Sequence, residues 1–286
     1  MIILLWIRCL PASCKGTFKN KEYMYSKTLI LFILGISLCY NNHFINHFIS
    51  DSSTSVMVTE GVDGINPYKT IKEIPLPSGF VRVSARDLSF SGWLISLPLK
   101  KDKTVYLFNR MPKQNQAAQF AVLDITVGNT DLQQCADAVM RLRAEYLFAV
   151  KNFQEIHFWD NDGKLYQFNK PYNSEGLQAF LKNVFGMCGS ASLSKQLHPI
   201  SLEAIEPGDV LIRGGFPGHA VIVMDVAKNN EGKKIYLLAQ SYMPAQDIHL
   251  LINPNNKIMS PWYEVNSDPL INTPEYIFKK GEMKRW

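Results

Sequence analysis

Between Pro207 and Val223 the chain reads as turn, apolar strand, glycine-rich turn and second apolar strand. Pro207-Gly208-Asp209 is turn chemistry, and Val210-Leu211-Ile212 is a short β-branched run. Gly214-Gly215 and Pro217-Gly218 suit a hairpin loop. From Ala220 to Met224 the residues are apolar without alternation. A half-exposed strand alternates, so this run predicts a strand covered on both faces, and the hairpin must lie inside a sheet. His219 is then the one titratable side chain at the mouth of a buried hairpin. A neutral imidazole there can take a proton from a nucleophile near physiological pH. It can equally cap the turn by bonding backbone, and this stretch alone leaves both open.

Two helices are predicted to cover that sheet. Over 131–148, Leu132, Cys135, Val139, Leu142 and Tyr146 fall on one face at spacings of three and four. Thr130 or Asp131 can cap the start, and Asp137, Arg141 and Glu145 form an i, i+4 ladder. Cys135, placed in the second turn, is either a buried thiol acting as a small hydrophobe or a nucleophile near a helix N-terminus. The second helix, 174–186, opens at Ser174, ends in glycine and is followed by an irregular Ser-rich stretch to Ser194. Strands are expected at 81–83, 104–108, 120–125 and 235–241, with helical spacing over 89–97. A hairpin with an Asp-Gly turn spans 155–168. His157 there reads as a strand-face histidine, and the acidic tip lacks the further carboxylates of a calcium loop. The pattern predicts a single α+β domain with an antiparallel sheet packed by helices.

Lysines and arginines are scattered despite a net charge of +5, which argues against a nucleic-acid surface. The five cysteines include no CxxC pair and no zinc spacing, so neither metal nor cofactor is expected. Lys27 followed by the apolar 28–38 run has the form of a signal peptide, too short for a comfortable membrane span. Met24 is the expected start, residues 1–23 an upstream extension, and Cys39 can carry a lipid. Residues 1–39 are thus read as an extension plus export segment, the only membrane contact, 40–66 as a polar tether, and 67–286 as the domain. Export also raises the prospect of a Cys135–Cys188 disulfide, which would end any thiolate chemistry.

The order of helix, loop, Pro207-Gly208-Asp209 turn, Gly218-His219 strand and later Ile235-to-Ser241 strand resembles the NlpC-type papain-like cell-wall peptidases. That resemblance implies a papain-like fold, His219 as base and Gln240 as the residue orienting it. The nucleophile position of the pattern falls on Ser174, with Cys135, 84 residues before His219, as the alternative. A second resemblance is to an exported bacterial family known as domain of unknown function 4846. It rests on Trp93-to-Leu99, Gln133-to-Leu147, Gly214-to-Val221 and Ala239-to-His249. Together these lead us to expect an exported envelope protein whose cleft around His219 binds cell-wall glycan or peptide. The alternative is a cysteine hydrolase or amidase of cell-wall peptide.

Overall fold

The computed structural model describes residues 64–83 and 88–286; the expected export segment, Cys39 and nearly all of the expected tether lie outside them. The packed body already includes Asn66, which is buried and donates its side-chain amide to the carbonyls of Tyr68 and Lys100, both at 2.9 Å.

Among the described residues there are thirteen strands and four α-helices. In chain order they are β1 (Phe80–Arg82), α1 (Phe90–Ser96), β2 (Gln119–Val122), α2 (Cys135–Ala149), β3 (His157–Trp159), β4 (Leu165–Gln167), α3 (Ser174–Met187), α4 (Ser190–Gln196), β5 (His198–Pro199), β6 (Val210–Arg213), β7 (His219–Asn229), β8 (Lys234–Gln240), β9 (His249–Leu251), β10 (Tyr263–Glu264), β11 (Leu270–Asn272), β12 (Ile277–Lys279) and β13 (Met283–Arg285). One sheet runs β2-β9-β8-β7-β6-β13-β5, with β1 also on β7 and β10 also on β8. Every pairing given for it is antiparallel. The 207–223 hairpin is β6 and β7, with Arg213 opposite His219.

The unbroken apolar run of β7 now has its cause. Ala220 and Ile222 join Ile212, Leu237 and Ala239 in one core with Val139, Met140, Leu142, Leu181 and Leu193 of the helices. Val221 and Val223 join Leu211, Tyr236 and Leu238 in a second core closed by Leu202, Ile205, Phe278 and Met283. Both faces are covered, so neither parity of the strand can be polar.

Three expectations need correction. The central helix starts at Cys135, not Asp131, because the Asp131 carboxylate is spent accepting the Ala245 amide at 2.7 Å. The stretch 104–108 makes only isolated bridges, Tyr106 to Pro112 and Leu107 to Gln246, rather than a strand. The stretch after α3 is not irregular: it forms α4, where the Ser192 hydroxyl accepts the Gly189 amide at 3.1 Å. Seven residues with one fully buried apolar anchor, Leu193, carry too little period to be read from sequence.

Candidate functional site

Cys135 is the first residue of α2, and its position is fixed by the loop after β8. Ser241 Oγ donates to the carbonyls of Gln246 at 2.8 Å and Gln133 at 3.0 Å. Asp131 holds Ala245, and Arg141 donates to the Gln133 side-chain oxygen. Asp137, in the first turn, accepts the Gln134 amide at 2.9 Å and finishes the cap. The backbone amides of Cys135, Ala136 and Ala220 lie close enough to the sulfur to pull its pKa down, against the burial that raises it more. Ala220 directly follows His219, so the thiol lies against the mouth of the β6–β7 hairpin.

His219 is 2 % exposed. The ring packs against Tyr242 at 4.6 Å, Tyr276 at 4.9 Å and Phe278 at 5.8 Å between centroids. Its Nε2 meets Gln240 Oε1 at 2.9 Å, a side chain rather than the backbone carbonyl that a turn cap would use. The cleft expected around His219 does not open onto its ring, because these three aromatic rings roof the imidazole. Among the described residues no hydrogen bond joins it to Cys135, and Tyr242 lies within electrostatic range of the thiol. Burial lowers the His219 pKa to about 4 and raises that of Cys135. Thiol and imidazole are therefore both neutral at pH 7, and the resting site holds no thiolate–imidazolium pair.

Behind Gln240 is a buried polar group that the sequence reading did not find. Gln240 Nε2 donates to Glu275 Oε2 at 2.7 Å and lies 3.4 Å from His249 Nε2. Lys113 Nζ is 2.7 Å from Glu275 Oε2 and 3.5 Å from His249 Nε2. Asn115 donates to Glu275 Oε1 at 3.1 Å, and His249 Nδ1 meets the Asp247 carbonyl at 2.9 Å. Lys113, His249 and Glu275 come from separated loops and strands without shared periodicity, so only the strings around His249 hinted at any of them.

Ser174 is exposed at the start of α3, away from this group, and α3 gives His219 none of its ring or hydrogen-bond partners among the described residues. It lines a cavity of about 600 Å³ between α2 and α3, with Gln133, Phe148, Leu181 and Phe185. His157 packs edge-on to Trp159 at 4.8 Å and takes no part in the His219 group. Cys135 and Cys188 are both free and buried, so the disulfide suggested by export is absent between them. Burial pushes the Cys188 thiol up to about 12. Among the described residues no group of His, Cys, Asp or Glu could hold a metal ion, and no helix is long and apolar enough to cross a membrane.

The class defined by fold and site is an α+β domain whose central helix begins with a thiol close to the backbone that follows a buried histidine hydrogen-bonded to a glutamine side chain. The model of the family described as domain of unknown function (4846) matches residues 71–176 and 167–285, and the chain belongs to that family. No curated protein and no solved structure matches it.

Proposed function

We propose that the domain is a cysteine hydrolase or amidase of papain-like, NlpC-type design that acts on cell-wall peptide in the bacterial envelope. Cys135 is the nucleophile, His219 the base and Gln240 the residue that orients the imidazole. The observation that carries this reading is the sulfur at the first residue of α2, close enough to the amide of Ala220, the residue after His219, for that amide to favour the thiolate. The helix N-terminus and that amide favour negative charge on sulfur, against the burial that raises its pKa. Because the resting pair is neutral, the thiol gives its proton to His219 as it attacks the carbonyl, and the imidazole returns it to the leaving amine. Water then cleaves the acyl-enzyme. In this reading Ser174 has no part in the reaction.

A second reading is binding of envelope glycan or peptide without catalysis. It is favoured by the absence of a Cys135–His219 hydrogen bond and by the roof over His219. Alkylation of the full chain with iodoacetamide, followed by peptide mass spectrometry, separates the two. The hydrolase reading expects Cys135 to label at least about tenfold faster than Cys188, and His219→Ala to abolish that difference. Equal labelling in both proteins would leave binding. Export places the domain in the periplasm or on the outer envelope, either released or lipid-anchored at Cys39. Intact mass of protein from its host tests this, since a retained Met24-to-Leu38 segment on cytoplasmic protein excludes it.

A further inference from the structure

His219 and the polar group behind Gln240 together occupy three of the four hydrogen-bonding sites of that side-chain amide, both donors among them. Gln240 Oε1 faces His219 Nε2 at 2.9 Å, and Nε2 faces both Glu275 Oε2 at 2.7 Å and His249 Nε2 at 3.4 Å. Glu275 is salt-bridged to Lys113 at 2.7 Å and accepts from Asn115 at 3.1 Å, and a carboxylate in a salt bridge only accepts. The edge of Gln240 that meets Glu275 must therefore be its NH2. The His249 ring makes the same demand. Its Nδ1 lies 2.9 Å from the Asp247 carbonyl, which can only accept, so Nδ1 carries the proton and Nε2 offers a lone pair. The amide of Gln240 is planar, so its oxygen can point only at His219. An amide oxygen also only accepts, which puts the His219 proton on Nε2 and leaves the lone pair on Nδ1.

We infer that Glu275 is a positioning residue of this site: through Gln240 it holds His219 in the Nε2–H tautomer, with Nδ1 free to act as base. The inference deepens the catalytic reading and rests on it for the use made of Nδ1, but not for the tautomer itself. Glu275 reaches this position because its turn is pinned. Thr273 Oγ1 donates to the Tyr276 carbonyl at 2.8 Å and accepts the Tyr276 amide at 3.1 Å. Tyr276 in turn packs its ring on His219 at 4.9 Å. One turn thus supplies both the group that orients Gln240 and part of the roof over the imidazole.

Long-range proton–nitrogen NMR of the full chain reads the two buried histidines directly. The expected result at pH 7 is opposite tautomers, Nε2–H for His219 and Nδ1–H for His249. Glu275→Gln can turn its own NH2 toward Gln240, which leaves only the longer 3.4 Å contact to His249 to orient the amide, and should lose the single His219 tautomer and slow Cys135 alkylation by about tenfold. Should that variant not fold, Lys113→Met with Glu275→Leu removes the ion pair in favour of apolar side chains and should have the same effect on the tautomer. An Nδ1–H His219 in the unmodified protein overturns the inference, as does an unchanged His219 tautomer in whichever variant folds. A changed tautomer with unchanged Cys135 alkylation upholds the role of Glu275 and removes the hydrolase reading instead.

Discussion

At Gly218 the hairpin loop passes within contact distance of its own backbone. A Cβ built there would meet the carbonyl oxygens of Gly215 at 2.5 Å and Arg213 at 2.7 Å, and the Ser190 hydroxyl as well. Backbone cannot step aside as a side-chain end can, so the chain before His219 must shift. Gly218→Ala should cost about 1–3 kcal/mol, the usual range for overpacking, measured by urea unfolding. Gly186, in the last turn of α3, has nothing within 4 Å of its Cβ position. Gly186→Ala should gain about 0.5–1 kcal/mol from helix propensity in the same assay. The sequence marks both as glycines beside secondary structure. Which one is obligatory depends on Ser190 and Arg213, residues that only folding brings to it.

Among the elements, β13 carries the clearest single dependence. It enters the sheet between β6 and β5, and Arg285 forks onto Asp209 at 2.7 and 2.8 Å. Asp209 is buried and also accepts the Glu206 amide at 2.7 Å, so it fixes the turn that leads into β6. Arg285→Met leaves that carboxylate without its counter-charge and should cost about 1–3 kcal/mol in chemical denaturation. Pro207-Gly208-Asp209 is legible as a turn from its residues, but its arginine lies 76 positions away. The amphipathic 174–186 pattern located α3 to within one residue, because Asn173 caps it locally through the Gly176 amide. α2 was displaced for the opposite reason, since its expected cap, Asp131, is engaged by a distant loop.

For the whole molecule, three buried groups set opposing pH dependences. Folding lowers His219 to about 4 and His249 to about 3, both from 6.5, mainly by burial. The unfolded chain then binds more protons below 6.5, so their contribution is lost as the pH falls through that window. Burial raises Asp137 from 3.8 to about 8. Its folded form holds the proton that the unfolded form releases, so stability falls as the pH rises from about 4 to 8. Between 4 and 6.5 the two histidines outweigh the one carboxyl; above 6.5 the carboxyl acts alone. These groups together place the maximum near pH 6.5, with a fall of at most about 1.4 kcal/mol per pH unit on the alkaline side. Thermal unfolding from pH 5 to 8 should show that peak, and Asp137→Asn should flatten its alkaline limb.

Local chemistry was enough to locate the β6–β7 hairpin, the 155–168 hairpin, α3 and β8, because each is specified by turn residues and periodicity within its own span. The covered state of β7 followed from its unbroken apolar run; His219 and Cys135 stood out as side chains able to do chemistry, while Gln240 was singled out only by the resemblance to the peptidases. Tertiary structure alone decided which of them meet. It set Cys135 against Ala220 and left Ser174 on another cavity, since α2 is docked by the loop after β8 and α3 is not. It also collected Lys113, His249 and Glu275 behind Gln240 from three places in the chain. A hydrogen bond between residues so far apart leaves no period in the sequence, because the distance that matters is closed by the sheet rather than by the chain.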